Sequence, residues 1–403
     1  MPRNIAADDT PPDWMDEASE AFYAEQARPA PVAPIRATPF AWRDESEIPP
    51  RRWLYGKHLL RKFLSVDVAA GGIGKSSVKV VEALAMTTGA QLLHKDVPEG
   101  KLRVWLYNLE DPDEETERRL VAAAKHYGIK PADVGDRLFV NSGRDQPLLI
   151  AEETQNGARI MRPVVDGLIA TLKERKIDVL ILDPFVSAHA ISENDNRAID
   201  MVAKEFARIA DVCDCSINLV HHVRKTNGTE ATAESARGAS SLIGAARSVV
   251  VYNRMTEDEA ERAGIEKSQA GFHFRTANDK ANLSPPEGAE WHRMNNVDLA
   301  NGDKVGVACT WDWPDAFAGV SQDMLRKVQR EVGAGQYREN SRSPEWVGNI
   351  IATVLGMDPD DDKKRLLSII KQWVKTDILR VVEKEGPKRD IRKFVEVGTW
   401  VTE

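Results

Sequence analysis

Hydrophobic and polar positions change period several times along this chain. From Phe63 an apolar, β-branched run ends in Val66-Asp67-Val68-Ala69 and meets Ala70-Gly71-Gly72-Ile73-Gly74-Lys75-Ser76-Ser77. Beyond it Val80, Val81, Leu84 and Ala85 recur at helical spacing within Val78 to Thr88, so the pattern predicts a strand, a glycine turn and a helix. Leu102 to Leu109 alternates as a strand and ends in Glu110-Asp111-Pro112, where Asp111 reads as a helix N-cap and Pro112 as the opening of the helix. Ile177 to Leu182 is an almost unbroken apolar run closed by Asp183-Pro184, the mark of a strand buried on both faces. Ile217 to Val220 ends in His221-His222-Val223-Arg224-Lys225, and Ser192 to Asn196 reads as the polar cap of a helix over 197–210. Strands alternating with helices predict an α/β fold: a mainly parallel central sheet flanked by helices.

The pattern then shortens. Gly271 to Arg275, Glu290 to Arg293 and Val305 to Thr310 predict hairpins that extend the sheet, with turns at Glu287-Gly288 and Asn301-Gly302-Asp303. Further on come two helical patterns, 345–355 and 361–376, then Ile378 to Val382, a basic turn Lys384 to Arg389, and Phe394 to Val397. Helix, helix, strand, turn, strand is the order of a winged helix-turn-helix. The expected organisation is a disordered tail at 1–48, an ATPase core at 49–314, a linker at 315–342 and a winged-helix-like domain at 343–403. The tail is expected because its acidic cluster and its proline- and alanine-rich stretch cannot bury a core.

Composition narrows the classes. The chain has 403 residues, a net charge of −8 and three cysteines, two of them in Cys213-Asp214-Cys215, which suits neither a disulfide framework nor zinc spacing. No apolar run reaches the roughly 18 to 20 residues that span a bilayer, and the acidic N-terminus lacks a signal-peptide layout, so a cytoplasmic protein without a membrane partner is expected. Between Lys363 and Lys393 the balance inverts: eleven Lys or Arg stand against four Asp or Glu. That local excess makes Lys371, Lys375, Lys388 and Arg389 candidates for contact with a DNA backbone.

The glycine turn carries the sharpest chemistry. Only glycines let a loop turn its N–H groups onto phosphate oxygens, so Gly71, Gly72, Ile73, Gly74, Lys75, Ser76 and Ser77 are candidate nucleotide-binding residues. Lys75 would reach the terminal phosphates of ATP, and the Ser76 hydroxyl would ligate Mg²⁺. The full pattern asks for glycine where this chain has Ala69. Asp183, at a strand's carboxyl end, is the candidate partner of Ser76 at the metal. Glu110, after a strand expected beside the loop, is the candidate that polarises the attacking water. Adjacent strand residues point to opposite faces, so His221 and His222 would not share a metal ion; one of them facing the γ-phosphate is the simpler reading. Arg247, at the start of a strand, is the candidate to stabilise transferring phosphoryl charge, reaching the site of a neighbouring subunit.

The ordered set Ala-Ala-Gly-Gly-Ile-Gly-Lys-Ser, Asn-Leu-Glu-Asp-Pro, Leu-Asp-Pro-Phe, Glu-Asn-Asp-Asn, His-His-Val-Arg-Lys and Arg-Gly-Ala-Ser-Ser-Leu-Ile-Gly-Ala-Ala-Arg resembles the RepA-like AAA ATPases. That RecA-type group includes plasmid hexameric replicative helicases and many phage or prophage proteins. The resemblance implies a RecA-like P-loop core, Glu110 as catalytic glutamate, Asp183 as the Walker B acid, His222 as sensor and Arg247 as arginine finger. It further implies a ring, hexameric in the group's helicases, with single-stranded DNA in the channel. Arg224 and Lys225, opening the loop after the sensor, would contact that strand. The expected activity is Mg²⁺-dependent ATP hydrolysis coupled to unwinding, translocation or remodelling of DNA during replication of a plasmid, phage or prophage. The alternative is an ATP-switched DNA-binding initiator or regulator without motor activity.

Overall fold

The computed structural model describes residues 36–155, 157–223, 230–233, 240–285, 288–385 and 391–401. The expected tail therefore lies largely outside the described residues, as do Arg224, Lys225, Lys388 and Arg389. The chain divides into Met1–Pro50 and Arg51–Glu403. Residues 36–50 of the first unit are exposed throughout, with one 3-10 turn at Glu45–Glu47 capped by Asp44.

The second unit is built on nine strands: β1 (Leu64–Ala70), β2 (Val104–Asn108), β3 (Leu138–Ser142), β4 (Val179–Asp183), β5 (Ser216–Val223), β6 (Ser248–Arg254), β7 (His273–Ala281), β8 (Glu290–Asp298) and β9 (Lys304–Thr310). Their spatial order is β9-β8-β7-β6-β1-β5-β4-β2-β3. The six strands from β6 to β3 run parallel, and β7 to β9 continue the sheet as antiparallel hairpins. Parallel strands need crossovers, and the long ones here are α1 (Lys75–Thr88), α2 (Asp113–Tyr127), α3 (Arg162–Glu174) and α4 (Asn196–Val212). Two apolar layers result. Leu64, Val66 and Val68 of β1 face α3 and α4, while Ala69 faces α1 with Val80, Val81 and Leu84.

One expectation of strand order changes. The strand that carries Glu110 is not beside the glycine turn: β5 and β4 stand between β1 and β2. Local apolar pattern places a strand in the sheet but does not order it.

The last part of the chain has its own core. Here α5 (Gln322–Ala334), β10 (Tyr337–Arg338), α6 (Val347–Leu355), α7 (Lys363–Lys375), β11 (Leu379–Glu385) and β12 (Ile391–Val397) pack around Val328, Trp346, Ile351, Leu366, Ile369, Trp373 and Val395. Its sheet runs β10-β12-β11, antiparallel at both pairings. The stretch expected as a linker thus holds a helix, α5, whose Val328 and Val332 are buried in this core. Polar residues hid its apolar stripe: Ser321 caps it, and the buried Gln329 amide bonds the carbonyls of Ile378 and Thr399.

Candidate functional site

The glycine turn joins β1 to α1. Gly72 and Gly74 have φ of 74° and 117°, values that an L side chain resists, and Gly74 caps α1 with no side-chain bond. The N–H groups of the first turn of α1 are consequently left facing the loop, with the positive end of the helix dipole behind them. Ala69, where the motif asks for glycine, lies within β1, paired in register with His222 and fully buried, and so has no part in the turn.

Lys75 is 3 % exposed, and its Nζ donates to the carbonyls of Ala69 at 3.0 Å and Ala70 at 3.1 Å. Burial lowers its pKa to about 8 against the pull of Asp183 and Asp67. The Ser76 hydroxyl donates to Asp183 Oδ2 at 2.6 Å. Burial raises the Asp183 carboxyl above its ordinary value, against the Ser76 bond and the charges of His222 and Lys75. A buried carboxylate touching a hydroxyl, both hard oxygen donors, fits a divalent cation such as Mg²⁺.

Strand order explains how the other groups arrive. Because β5 separates β1 from β4, its far end projects between Lys75 and Asp183, and His222 Nε2 lies 3.9 Å from Asp183 Oδ1. Burial and the Lys75 charge lower the His222 pKa below its ordinary value, against the pull of Asp183 and Glu110. The preceding residue turns the other way: His221 is 6 % exposed and its pKa is lowered to about 4 by burial. Alternation along β5 thus separates the two rings, and among the described residues no His, Cys, Asp and Glu cluster suits a metal.

Glu110 is exposed just past β2. Its backbone is held by Asn108, whose Oδ1 accepts from the N–H of Glu110 at 2.9 Å and of Asp111 at 2.7 Å. Arg144 Nε donates to the Glu110 carbonyl at 2.6 Å, and Ser187 Oγ, on the segment after Asp183, donates to Glu110 Oε1 at 3.3 Å. The fixed backbone leaves the carboxylate presented on the same rim as Asp183. Asp111 is not the helix cap: Pro112 holds that position, and Asp111 instead pairs with Arg119 Nη1 at 2.8 Å. That pairing spans two turns of α2, beyond what a local cap pattern reveals.

Lys75, Ser76 and His222 open on a cavity of about 520 Å³. Its other walls are Glu115, Arg118 and Arg119 of α2, and Met294 with residues 303–306 of the β8–β9 hairpin. None of these was singled out in the sequence; arginines on an amphipathic helix read as a solvated face. Arg254 was missed as well, and its guanidinium grips the loop by donating to the Gly72 carbonyl at 2.5 Å. Two loop residues turn elsewhere. The Ile73 side chain is buried in the core, and the Ser77 hydroxyl is engaged by β9, donating to Gly306 O at 3.0 Å and accepting from Ala308 N at 2.9 Å.

Beneath the loop sits a charge cluster that the sequence pattern gave no reason to expect. Asp67 of β1 and Lys79 and Glu82 of α1 are at most 2 % exposed, with Lys79 Nζ 2.6 Å from a carboxylate oxygen of each. Tyr252 and Asn218 donate to Asp67 at 2.5 and 2.8 Å, and His58 Nε2 lies 3.4 Å from Glu82. Burial alone would raise the Glu82 pKa, but Lys79 and His58 hold it well below the carboxylate range.

The structure does not bring Arg247 to this cavity. It is exposed at the amino end of β6, where its N–H bonds the Leu64 carbonyl at 3.0 Å, whereas the loop leaves the opposite end of β1. Six strand steps amount to about 20 Å, far beyond an arginine's reach. Lys371 and Lys375 are exposed on α7, and Lys371 lines a separate groove with Arg338 and Lys393.

Residues 28–228 match the family described as AAA domain. No curated protein matches the chain. Among solved structures, a DnaB-like replicative helicase, described with its interactions with primase, aligns at a TM-score of 0.41 and 13% identity, covering 58% of this chain and 56% of that one. The RadB recombinase aligns at 0.38 and 12%, covering 59% of this chain and 89% of that one. This chain therefore spans little more than half the length of the helicase, and at these scores neither likeness bears on function. The glycine loop with its lysine and the Ser76–Asp183 pair lie within the matched segment and are those of a P-loop NTPase, in agreement with the match of residues 28–228 to the AAA domain family.

Proposed function

We propose that the chain is a Mg²⁺-dependent ATPase that assembles into a ring and couples hydrolysis to unwinding, translocation or remodelling of DNA in the replication of a plasmid, phage or prophage. The observation that carries the hydrolytic part is the Ser76–Asp183 contact of 2.6 Å beside a buried Lys75, with His222 3.9 Å from the same carboxylate. Ser76 and Asp183 would hold Mg²⁺, which would supply positive charge to offset that of the terminal phosphates. Lys75 would exchange its two loop carbonyls for phosphate oxygens. Glu110 would orient the attacking water from the rim, and His222 would hydrogen-bond the γ-phosphate and so report its loss.

Arg247 would complete the site of a neighbouring copy, since it stands at the opposite end of the sheet from its own loop. The loop opened by Arg224 and Lys225 would line the channel for single-stranded DNA. The C-terminal module, by its α5-β10-α6-α7-β11-β12 order, is read as a winged helix-turn-helix that presents Lys371, Lys375, Lys388 and Arg389 to duplex DNA. The competing reading, an ATP-switched initiator without a motor, draws on that same basic module. ATP turnover with and without single-stranded DNA separates the two: the motor reading expects DNA-stimulated hydrolysis abolished by Lys75→Ala, and the switch reading expects negligible turnover with sequence-specific duplex binding by residues 321–403.

A further inference from the structure

The C-terminal module carries a groove of about 840 Å³ that the nucleotide site does not use. Its origin lies in two periodicities. Ile391, Lys393 and Val395 share one face of β12; Val395 sits in the module's core at 1 % exposure, while Ile391, on the same face, is 73 % exposed. On α7, Leu366, Ile369 and Trp373 are buried in that core, and Leu367, Ile370, Lys371 and Val374, at helical spacing, line the groove. The core-facing side of the β11–β12 ribbon thus runs on past the helix that covers it. Val381 and Ile391 form one wall of the groove and the α7 row forms the other.

The rim is charged. Arg338, Lys371, Arg392 and Lys393 line the groove against one acid, Glu339. Trp346 lines it too: at 3 % exposure its indole N–H has no acceptor among the described residues, so an occupant that brings oxygen acceptors would satisfy a buried donor. A duplex backbone needs the cations but has no use for an apolar floor between them. An amphipathic helix needs both, with apolar anchors at i, i+4 and i+7 for the floor and flanking carboxylates for the rim. The chain itself contains that pattern, outside the described residues. Between Asp13 and Tyr23, Trp14, Ala18, Ala21 and Phe22 fall at i, i+4, i+7 and i+8, and no Lys or Arg occurs from Asn4 to Ala27. At the helical period Asp13, Asp16, Glu17 and Glu20 fall on the other side.

We propose that the groove between α7 and the β11–β12 ribbon is the docking site for the acidic segment Asp13–Tyr23 of a second copy of the chain. One chain carries both halves of this contact, which is what a head-to-tail interface requires if it is to repeat from copy to copy. Residues 24–50 form the tether, with a contour length of up to about 90 Å. Lys371 belongs both to the rim and to the proposed duplex surface, so segment and duplex exclude each other there. The inference goes beyond the ATPase reading and needs neither nucleotide nor the phosphate loop.

Peptide binding and self-association test it together. A fluorescein-labelled peptide of residues 10–26 is titrated by fluorescence anisotropy into the chain shortened to residues 36–403, which retains every core the structure describes. The natural peptide should bind, and Trp14→Ala in the peptide, or Ile391→Asp or Lys371→Glu in the chain, should each weaken it about tenfold. Ile391 is exposed, so its replacement leaves the core intact, and circular dichroism checks the fold. Sedimentation velocity of the full-length protein without nucleotide should show self-association that weakens to a similar extent when residues 1–35 are removed or Ile391 is replaced. A scrambled peptide that binds as well, or a natural peptide indifferent to Ile391→Asp, would overturn the site. Peptide binding without any self-association that depends on residues 1–35 would overturn the second copy as occupant. Duplex DNA binding lost in Ile391→Asp while the peptide binds as before would assign the groove to DNA and overturn the proposal.

Discussion

Replacing Lys79 with methionine tests whether the charge cluster under the loop holds the nucleotide site together. Lys79 is the sole ammonium 2.6 Å from both Asp67 and Glu82 among the described contacts, and all three are at most 2 % exposed. Methionine keeps the length of the side chain, so the cavity contribution is small and the electrostatic one dominates. Removing one partner of a buried ion pair costs about 3–5 kcal/mol, because the charge left behind remains desolvated. Here two carboxylates are left behind. With a urea slope of roughly 3 kcal/mol/M for a chain at the large end of the range, the unfolding midpoint should fall by about 1 to 1.7 M. Far-UV circular dichroism across a urea titration reads this directly. Since Asp67 lies in β1 and Lys79 in α1, ATP affinity should fall along with stability. The triple variant Asp67→Asn, Lys79→Met, Glu82→Gln removes every charge of the trio and should recover to within about 2 kcal/mol of the natural chain. A single variant that loses less than about 1 kcal/mol would refute the reasoning, as would a triple variant no better than the single one.

Further consequences follow from the same geometry. Lys75 titrates near pH 8 in the free protein, so rising pH removes the proton that phosphate needs; ATP affinity should fall by up to tenfold per unit above pH 8, and a binding titration from pH 7 to 10 checks it, with Lys75→Met weak and flat. The folded pKa lies below the unfolded one, so burial of charged Lys75 costs stability below pH 8, and that cost is relieved between pH 8 and about 10.4. Gly74→Ala combines a φ of 117° with a Cβ 3.1 Å from Met294 Sδ; it should cost about 1–3 kcal/mol and abolish tripolyphosphate binding, as calorimetry with and without that anion would report. Trp373→Ala, in the core of the C-terminal module, should destabilise that module by about 3–5 kcal/mol and make it protease-sensitive while ATP binding by the P-loop unit persists.

Local chemistry was the legible part. A strand that ends in glycines and lysine, and an apolar run that ends in Asp183, announce themselves because each signal is contained in a few neighbouring residues. The meeting of Ser76 with Asp183 followed from those two signals. Sheet order was not legible, since nothing in the apolar pattern of β5 states that it lies between β1 and β4. That insertion carries His222 to Asp183 and sets β2, with Glu110, two strands further away than expected. Asp111 illustrates a second limit: proximity to a proline suggested a cap, but the carboxylate is taken by Arg119 across two turns of α2. Arg118 and Arg254 were invisible for the same reason, each 40 or more residues away from the loop along the chain; the β8–β9 hairpin was expected as an extension of the sheet, but not its place against the loop. Helix α5 escaped because its buried face includes a glutamine whose amide, not its apolarity, secures it.

An ATPase whose site is finished by a second copy of the chain must lose specific activity as that copy dissociates, so a dilution series is decisive. ATP hydrolysis per protomer is measured with Mg²⁺ over a thousandfold range of protein concentration, with and without single-stranded DNA. An equimolar mixture of Lys75→Ala and Arg247→Ala chains is assayed alongside. Specific activity should fall steeply on dilution, each variant alone should be nearly inactive, and the mixture should recover part of the activity, because an intact loop can meet an intact Arg247 from its neighbour. Specific activity independent of concentration, or an Arg247→Ala chain as active as the natural one, would contradict it.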